Sequence, residues 1–590
     1  MCGIFCQICH HESDTVSTAE CNSGEAEWNW YRDKIASRGP DGFAERFDSL
    51  PNDWHAHFAA SVLWMQGDKC LIQPCIDSTG NVLLWNGDIF SGNLASDNTC
   101  DTITVLNNFE LSDNISQILK DVEGPYSFVY FQRHKNLLYF GRDCIGRHSL
   151  LIKLNLERNF IMLTSAASKN VNGIIEVPAI GIFVIDLNLP IINLACYPWT
   201  APDLHFAHAI EDLEAHLDVD VSIQETILSS KTEFLDLHVE PEAADIQYLE
   251  DISYYESIEE AMTNLLENND VLQRVEHLLE LLKKSVEVRV NKKPHYCKDC
   301  IKTVLSGKSI ECPHTKVGVL FSGGLDSAIL AILANEFIPE NECIDLINVA
   351  FEKAVIKNGQ SSNTLQYDVP DRKTGRQTYN ELLQICPNRE WNLIEINVTQ
   401  SELQMYRSSR ISDLVYPLRT VLDESLGCAV WFASRGKGQC YTSNESYESP
   451  CRVLLLGMGA DELFGGYMRH RTTLKHKGWA ALTRELSHEL DRISERNLGR
   501  DDRIVSDHGR QSRLPYLDER VVRYVKRLKP WERCFPTDRM PPGLGDKLLL
   551  RLVARRLGLQ STANFPKRAF QFGSRIANSK ENAKDISDRL

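Results

Sequence analysis

Short apolar or alternating segments occupy roughly the first 200 positions of the chain. Two of them cover residues 81–85 and 126–131, and Gly, Pro and Asn separate such segments from one another. Short runs of this kind, punctuated by turn residues, are typical of β-strands. We therefore predict that residues 1–200 form a β-rich first domain of layered sheets with some helix.

A different pattern begins near residue 317. Short apolar segments alternate with stretches of helical character, and the apolar segments cover residues 317–321, 344–350, 393–396 and 453–456. This alternation favours a parallel sheet with helices on both faces, and such sheets bind ligands beyond the carboxyl ends of their strands. We assign residues 291–580 to this second domain. Residues 581–590 form a polar tail that we expect to fray.

An acidic stretch separates the two predicted domains. Lys231 is the only Lys or Arg between Glu211 and Asp270. We interpret residues 201–290 as a connector or insertion that is partly disordered. Its last part, residues 271–290, carries apolar residues at helical spacing, which predicts an amphipathic helix that opens the second domain.

Charge and composition restrict the partners. The 590-residue chain has a formal net charge of −17, which argues against a nucleic-acid partner because phosphate binding needs clustered cations. No apolar run reaches the ~18 residues of a membrane-spanning helix, and no signal peptide is readable. The 18 cysteines are spread along the chain and fit reduced thiols. We expect a cytoplasmic protein with small-molecule substrates, and the sequence leaves its oligomeric state open.

Cys2 directly follows the initiator methionine. Removal of Met1 would leave a thiol and a free α-amine on one residue, and an amine with a pKa of ~7.7–8.0 can take the thiol proton. The next residue, Gly3, lets other backbone approach closely. The simpler interpretation is an ordinary cysteine, and the first five residues by themselves favour it.

A glycine-rich loop follows the first strand of the second domain and precedes a helix-forming run. Its motif spans residues 322–327, SGGLDS. Glycines permit tight turns, and the free N–H groups and dipole of a helix N-terminus bind phosphate. Asp326 can cap the helix or hold Mg²⁺ against phosphate. The alternative is a glycine-rich turn with a purely structural cap.

These residues resemble a known family. The 322–327 loop resembles the PP-loop of ATP pyrophosphatases. Further segments are similar, in the same order, to signatures of glutamine-dependent asparagine synthetases: residues 38–41, 86–88, 457–467, 513–518 and 546–551. Residues 368–372 and 417–424 look like those of the asparagine synthetase domain-containing proteins, a divergent eukaryotic branch of that family. The likeness spans the chain apart from the acidic connector.

The resemblance implies a mixed α/β and α+β architecture, with an Ntn-type αββα glutaminase sandwich followed by a PP-loop ATP pyrophosphatase domain. It also implies roles for individual residues. The implied catalytic residues are Cys2, Asn86, Gly87 and Lys547, and the implied glutamine-binding residues are Arg38, Asp88 and Asp101. The implied ATP-binding residues are Phe321, Ser322, Gly323, Gly324, Asp326, Ser327, Val349, Leu456 and Gly457. Asp326 and Asp461 would hold Mg²⁺.

The implied reaction is glutamine-dependent, ATP-consuming amide synthesis, with aspartate or another carboxylate as the acceptor. Departures from the family pattern leave alternatives open. Met458 stands where the second signature has a glutamate, and methionine cannot act as a base. Val62 stands where the family has an arginine that clamps the carboxylate of glutamine. Asp88 and Gln511 also replace glutamates. The alternatives are the same mechanism on a different acceptor, or a degenerate nucleotide-binding scaffold.

A short stretch before the PP-loop strand carries cysteine and histidine residues at the spacing C-x-x-C followed by C-x-H. Its residues are Cys297, Cys300, Cys312 and His314. Four such ligands can hold a structural zinc ion. The simpler interpretation, which the sequence favours, is a pair of incidental thiols beside surface histidines.

Overall fold

The strands of this protein form three sheets within the part of the chain that the computed structural model describes, residues 2–10, 24–95, 99–228, 240–255, 257–352, 367–538, 540, 543–577 and 581–590. The strands are β1 (Gly3–His10), β2 (Gly42–Ser49), β3 (Trp54–Val62), β4 (Cys75–Ile76), β5 (Val82–Gly87), β6 (Tyr126–Gln132), β7 (Leu137–Arg142), β8 (Leu151–Asn155), β9 (Phe160–Thr164), β10 (Ile175–Glu176), β11 (Gly181–Asp186), β12 (Leu194–Pro198), β13 (Val221–Ile223), β14 (Val317–Leu320), β15 (Ile344–Phe351), β16 (Trp391–Val398), β17 (Lys437–Cys440), β18 (Ser446–Glu448), β19 (Val453–Leu455) and β20 (Gln511–Arg513).

Helices connect and cover these sheets. They are α1 (Gly24–Arg38), α2 (Asp101–Leu111), α3 (Ile115–Leu119), α4 (Leu204–Leu217), α5 (Ala243–Glu250), α6 (Ile258–Glu267), α7 (Asn269–Asn291), α8 (Cys300–Leu305), α9 (Leu325–Phe337), α10 (Pro370–Ile385), α11 (Gln400–Tyr406), α12 (Ser412–Val415), α13 (Val421–Arg435), α14 (Ala460–Phe464), α15 (Met468–Asp491), α16 (Gly499–Ser506), α17 (Glu519–Arg527), α18 (Pro530–Arg533), α19 (Leu548–Arg556) and α20 (Phe570–Gly573). Within the described ranges, none of them is long and apolar enough to cross a bilayer.

The first domain is a sandwich of two sheets. One sheet has the strand order β10-β8-β9-β1-β3-β2 and the other β13-β12-β11-β7-β6-β5-β4. Their facing side chains form one core, in which the rings of Phe58 and Phe131 are 6.3 Å apart. Helix α1 packs on the outer face of the first sheet through Tyr31 and Ile35, and α2 packs on the second through Phe109. The expected αββα layering is confirmed.

Burial on both faces explains the mixed sequence pattern of this domain. Every residue of β6 is buried, because one face meets the other sheet and the opposite face meets α2. Strands covered on both sides lose the polar alternation of half-exposed strands. The predicted segments 81–85 and 126–131 correspond to β5 and β6.

The sandwich continues beyond the boundary expected at residue 200. Helix α4 contributes Phe206, Ile210 and Leu213 to the sandwich core, and β13 pairs with β12. The acidic character of this stretch comes from the other side of α4, where Glu211 and Asp212 are exposed. An amphipathic helix of the first domain therefore occupies part of the predicted connector. Residues 229–239 of that connector lie outside the described residues.

The second domain is built on a sheet with the order β18-β17-β16-β15-β14-β19-β20. The strands from β16 to β20 in this order are parallel, and the four predicted strands are confirmed as β14, β15, β16 and β19. The predicted amphipathic helix is α7, which buries Val275, Leu282 and Val286 in the core of this domain. The carboxyl ends of β14 and β19 lie side by side.

The polar tail is ordered against α13, contrary to the expected fraying. Asp585 accepts a hydrogen bond from the backbone N–H of Val421 at 2.9 Å, and Ile586 forms a β-bridge with Thr420. The hydroxyl of Ser587 donates to the buried carboxylate of Glu424. Backbone pairing, a buried acceptor and the packing of Leu590 against the core thus hold the tail in place.

Buried charges fasten the two domains together. Asp502 of α16 accepts a hydrogen bond from Arg38 Nη2 at 2.8 Å and lies 2.8 Å from His148 Nδ1. Arg452, directly before β19, forms an ion pair with Asp41 of the first domain. Removing one partner of a buried ion pair typically destabilises a protein by about 3–5 kcal/mol. These pairs therefore favour one arrangement of the two domains.

Candidate active sites

Cys2 is held at the start of β1 by tight packing around Gly3. The N–H of Gly3 donates to Ser61 Oγ at 3.0 Å, and Ser61 Oγ donates to the carbonyl of Ile35 at 2.6 Å. A Cβ atom on Gly3 would lie 2.3 Å from Ile35 Cγ2, so no larger residue fits. The close approach expected at Gly3 is confirmed.

Cys2 opens into a cavity whose wall includes most of the residues expected to bind glutamine. Asn86, Gly87, Asp88 and Asp101 line this cavity together with Cys2. Asn86 and Gly87 end β5, whereas Asp101 begins α2 on the outer face of the same sheet. Residues that lie 84 or more positions from Cys2 in the sequence thus meet at the thiol.

The side-chain amide of Asn86 contacts Cys2 through its oxygen. The backbone nitrogen of Cys2 donates to Asn86 Oδ1 at 2.7 Å. Asn86 Nδ2 is buried and has no hydrogen-bond partner among the described residues. Buried donors are normally paired, so an unpaired amide nitrogen on a residue that lines the same cavity as Cys2 is suited to bind an oxyanion.

Two carboxylates line the cavity, Asp101 and Asp88, and Arg513 Nη2 lies 3.5 Å from Asp88 Oδ1 behind the wall. Burial raises the pKa of Asp101 to about 6, and the nearby Asp88 charge acts in the same direction. Hydrogen bonds from the backbone N–H of Thr102 (2.7 Å) and from Trp85 Nε1 (3.3 Å) partly offset this increase. Burial also raises the pKa of the Cys2 thiol. The thiol therefore needs a nearby base before it can react.

The structure places Arg38 away from this cavity, which contradicts its expected role in glutamine binding. Its guanidinium is buried against Asp502 of the second domain. Val62 does line the cavity, and no Lys or Arg stands among the described lining residues. A substrate carboxylate would find no cationic partner within this wall.

Three glutamines near Cys2 were missed by the sequence analysis as contributors to the cavity. Gln73 Nε2 lies 3.8 Å from Cys2 Sγ and donates to the carbonyl of Trp85 at 2.9 Å. Gln66 Nε2 donates to Asp88 Oδ1 at 2.6 Å. Gln511, on β20 of the second domain, donates to Asp88 Oδ2. An amide at position 511 can donate to Asp88, whereas a glutamate there would oppose it with a second negative charge.

The PP-loop has a compact geometry at the end of β14. Gly323 has a φ of +76°, and a Cβ atom there would lie 2.5 Å from the backbone of Gly375 in α10. The carbonyl of Gly323 accepts a hydrogen bond from Thr378 Oγ1 at 2.7 Å. Ser322 Oγ accepts from the N–H of Gly324 at 3.2 Å, and Ser327 Oγ donates to the carbonyl of Gly324 at 3.1 Å. Glycine at 323 is required by both space and backbone conformation.

Lys547 joins the two predicted metal-binding carboxylates. Its Nζ lies 2.6 Å from Asp326 Oδ2 and 2.6 Å from Asp461 Oδ1, and Lys567 Nζ lies 2.7 Å from Asp461 Oδ2. Burial would lower the pKa of Lys547, but the charges of Asp326 and Asp461 raise it. Sequence reasoning missed Lys567, which stands outside every recognised segment.

The Asp326–Asp461 pair fits Mg²⁺ by its chemistry. Both residues offer carboxylate oxygens, which this ion prefers, and both already share one cationic group, the Lys547 ammonium. A Cβ atom on Gly466 would lie 1.9 Å from Asp461 Oδ1, so the backbone packs directly against that carboxylate. The two residues lie in the first turns of α9 and α14, the helices that follow the adjacent parallel strands β14 and β19, at the edge where such sheets bind ligands.

The remaining residues expected at the nucleotide site lie around this edge. Phe321, Val349 and Leu456 are buried in the core of the second domain, at or after the carboxyl ends of their strands. A Cβ atom on Gly457 would lie 2.9 Å from Asp326 Cβ. Met458 is half-buried and packs against the same core, so the position brings no acid–base group to this edge.

Sequence comparisons agree with this architecture. The family model described as asparagine synthase matches residues 314–477 and 474–590. The asparagine synthetase domain-containing protein CG17486 of Drosophila melanogaster is 36% identical over all of both chains. The fold and the two sites define a protein of two domains. The first is a sandwich of two β-sheets that carries Cys2, and the second is a PP-loop domain. The chain belongs to the family of asparagine synthetase domain-containing proteins.

More distant relatives carry names of enzymes. A putative glutamine-hydrolyzing asparagine synthetase of Methanocaldococcus jannaschii is 23% identical over 68% of this chain and 56% of that protein. The solved glutamine phosphoribosylpyrophosphate amidotransferase from B. subtilis, complexed with ADP and GMP, is 13% identical over 62% of this chain and 69% of that chain, with a TM-score of 0.25. The first is a distant likeness at this identity, and the second carries no weight at that TM-score.

Proposed function

We propose that this protein is a glutamine-dependent, ATP-consuming amide synthetase of the asparagine synthetase type. The observation that carries the proposal is the presence of two sites in one chain whose domains share buried ion pairs. Cys2 donates its backbone N–H to Asn86, whose amide nitrogen is buried and unpaired among the described residues, and the Asp326–Lys547–Asp461 cluster lies at the PP-loop edge of the second domain. Gln511 belongs to the second domain and forms part of the Cys2 cavity.

The first half of the reaction would release ammonia from glutamine. Once Met1 is removed, the Cys2 α-amine takes the thiol proton, and the thiolate attacks the carboxamide carbon. Asn86 Nδ2 and the Gly87 N–H stabilise the oxyanion. The amine returns the proton as ammonia leaves, and water then hydrolyses the thioester to glutamate. Asp101 would bind the ammonium of glutamine.

The second half would activate a carboxylate with ATP. The acceptor carboxylate attacks the α-phosphorus, pyrophosphate leaves, and ammonia then displaces AMP to form the amide. Asp326 and Asp461 would hold Mg²⁺, which neutralises phosphate charge when bound. Lys547 and Lys567 would pair with the leaving pyrophosphate oxygens as point charges. The PP-loop N–H groups would hold the remaining phosphate oxygens.

Apolar packing at the boundary between the domains supports this coupling. Leu63 and Met65 line the Cys2 cavity and also belong to the core of the second domain. Strand β19 runs beside β20, with Val453 paired to Gln511 at the cavity end. Gly457, beside the PP-loop, follows Val453 by four residues, which corresponds to about 13 Å of extended chain. Apolar walls would keep ammonia neutral, and therefore nucleophilic, on this path.

The product assay tests the proposal directly. Full-length protein with glutamine, aspartate and Mg-ATP should yield asparagine, AMP and pyrophosphate in equal amounts, measured by chromatography and phosphate release. Met458 favours a second candidate, in which another carboxylic acid replaces aspartate. A screen of acids for ATP-to-AMP turnover separates the two candidates. Glutamine hydrolysis without any acid-dependent AMP would contradict both.

Glutamine binding should depend on the charge of Asp101. Because the pKa of this buried carboxyl is about 6, it loses its charge as the pH falls through that value, while the ammonium of glutamine stays charged. At about pH 5 only about a tenth of the Asp101 carboxyls remain ionised. We therefore expect the Kd for glutamine to rise roughly tenfold between about pH 7 and about pH 5. Calorimetry on Cys2→Ala protein measures the Kd without turnover.

The matched variant is Asp101→Asn. It should bind glutamine weakly at every pH, with the pH dependence removed. A pH dependence that persists in Asp101→Asn would assign the titration to another group and contradict this role of Asp101.

A further inference from the structure

Four thiol and imidazole groups converge ahead of the PP-loop strand. They are Cys297, Cys300, Cys312 and His314, and all their ligand atoms lie within 4.8 Å of one another. The Nδ1 atom of His314 is 3.7, 3.4 and 3.8 Å from the Sγ atoms of Cys297, Cys300 and Cys312 respectively. We call these residues the Cys₃His cluster.

The distances match tetrahedral zinc. Zn–S bonds of about 2.3 Å and Zn–N bonds of about 2.0–2.1 Å at tetrahedral angles place S and N about 3.6 Å apart. The three observed S–N distances scatter closely around that value. Incidental thiols have no reason to surround one imidazole nitrogen at a common distance. The geometry therefore opposes the interpretation that the sequence favoured.

The backbone around the cluster also suits thiolates. The N–H of Cys297 donates to Cys312 Sγ at 3.2 Å, and the N–H of Cys300 donates to Cys297 Sγ at 3.4 Å. Hydrogen bonds to ligand atoms orient them and stabilise their charged form. Cys297 and Cys300 are buried, Cys312 is half-buried and His314 is exposed, so an ion can enter from the His314 side.

We propose that the Cys₃His cluster binds one zinc ion and that the ion is structural. Four protein ligands leave no open position for a substrate, which distinguishes structural from catalytic zinc. The ion would join the segment between α7 and α8 to the segment that leads into β14.

The position of the cluster suggests what the ion stabilises. The N–H of Lys298 donates to the carbonyl of Pro450 at 2.9 Å, so the segment that carries Cys297 also packs beside the approach to β19. His314 precedes β14 by three positions. An ion bound by the Cys₃His cluster would therefore fix the starts of β14 and β19. The PP-loop and Asp461 follow the opposite ends of these two strands.

Elemental analysis of full-length protein, purified without added metal or chelator, tests the proposal. We expect about one zinc per chain, and titration of the thiols with a mercurial should release it in the same amount, detected with a chromogenic dye. Protein reconstituted with Co²⁺ should show the intense visible absorption of tetrahedral cobalt and a thiolate-to-cobalt charge-transfer band.

Variants locate the ion. Cys297→Ser should reduce the zinc content below about 0.1 per chain, and His314→Ala, which removes the exposed ligand and keeps three cysteines, should lower the affinity for zinc. The control Cys440→Ser changes a half-buried thiol on β17 and should keep the full content. Zinc-free wild-type protein that takes up none after reduction, octahedral cobalt spectra, or unchanged zinc in Cys297→Ser would overturn the proposal. These readouts do not depend on the proposed amide synthesis.

Discussion

Cys2→Ala should abolish glutamine-dependent amide formation while ammonium chloride still supports it. Alanine cannot form the thioester, and loss of an attacking nucleophile costs at least about 10³-fold in rate. The ammonia-dependent reaction should stay within about twofold of wild type, because the PP-loop edge belongs to the other domain. Alanine is small enough for Met1 removal to continue, so the variant changes the thiol alone. Glutaminase and AMP assays with either nitrogen source measure both effects.

The matched control is Cys9→Ala, on β1, the strand that directly follows Cys2, but outside the cavity. It should keep both activities. Labelling with a glutamine-site electrophile adds a second readout, since peptide mass spectrometry should find the label on Cys2. Wild-type protein that is neither labelled nor active with glutamine, yet active with ammonium, would show that the cavity no longer binds glutamine. Val62, and a wall whose described residues include no Lys or Arg, make that outcome informative.

Local patterns predicted those site residues that lie in short ordered segments. Cys2 and Gly3 adjoin each other, Asn86 ends a strand, and the PP-loop joins a strand to a helix; each arrangement has a local physical reason. Gln73 and Gln511 carry no such signal. They reach the Cys2 cavity only because a loop and a strand from different domains converge there.

Arg38 shows the opposite limit of sequence reasoning. Its segment matches a family signature, and the match suggested a role at glutamine. Its side chain instead forms a buried ion pair between the domains with Asp502, which lies 464 positions further along the chain. A motif can mark a residue as important, whereas the burial of its side chain and the residues that it contacts determine its role. Helix α4 is a second example. Its acidic residues suggested a connector, but its opposite face is apolar and completes the sandwich core.

Asp461→Asn should stop ATP consumption with either nitrogen source and spare glutamine hydrolysis. The carboxylate is expected to hold Mg²⁺ and to counter Lys547 and Lys567, each within 2.7 Å of it. Metal-ion stabilisation of a transition state is worth several kcal/mol, so we expect at least a ~100-fold loss of acid-dependent AMP formation. The Cys2 site belongs to the other domain, and its glutaminase activity reports that the variant chain still folds.

Asp538→Asn is the matched control for this substitution. Asp538 also pairs with a lysine in the second domain, Lys475, but both side chains are more than half exposed. Exposed pairs contribute about 0–1 kcal/mol, so this variant should retain activity and unfolding temperature. If Asp461→Asn lost glutaminase activity as well, the cluster would be needed for folding. Unchanged AMP formation in a folded Asp461→Asn protein would remove Asp461 from the catalytic machinery and leave Lys547 to pair with Asp326 alone.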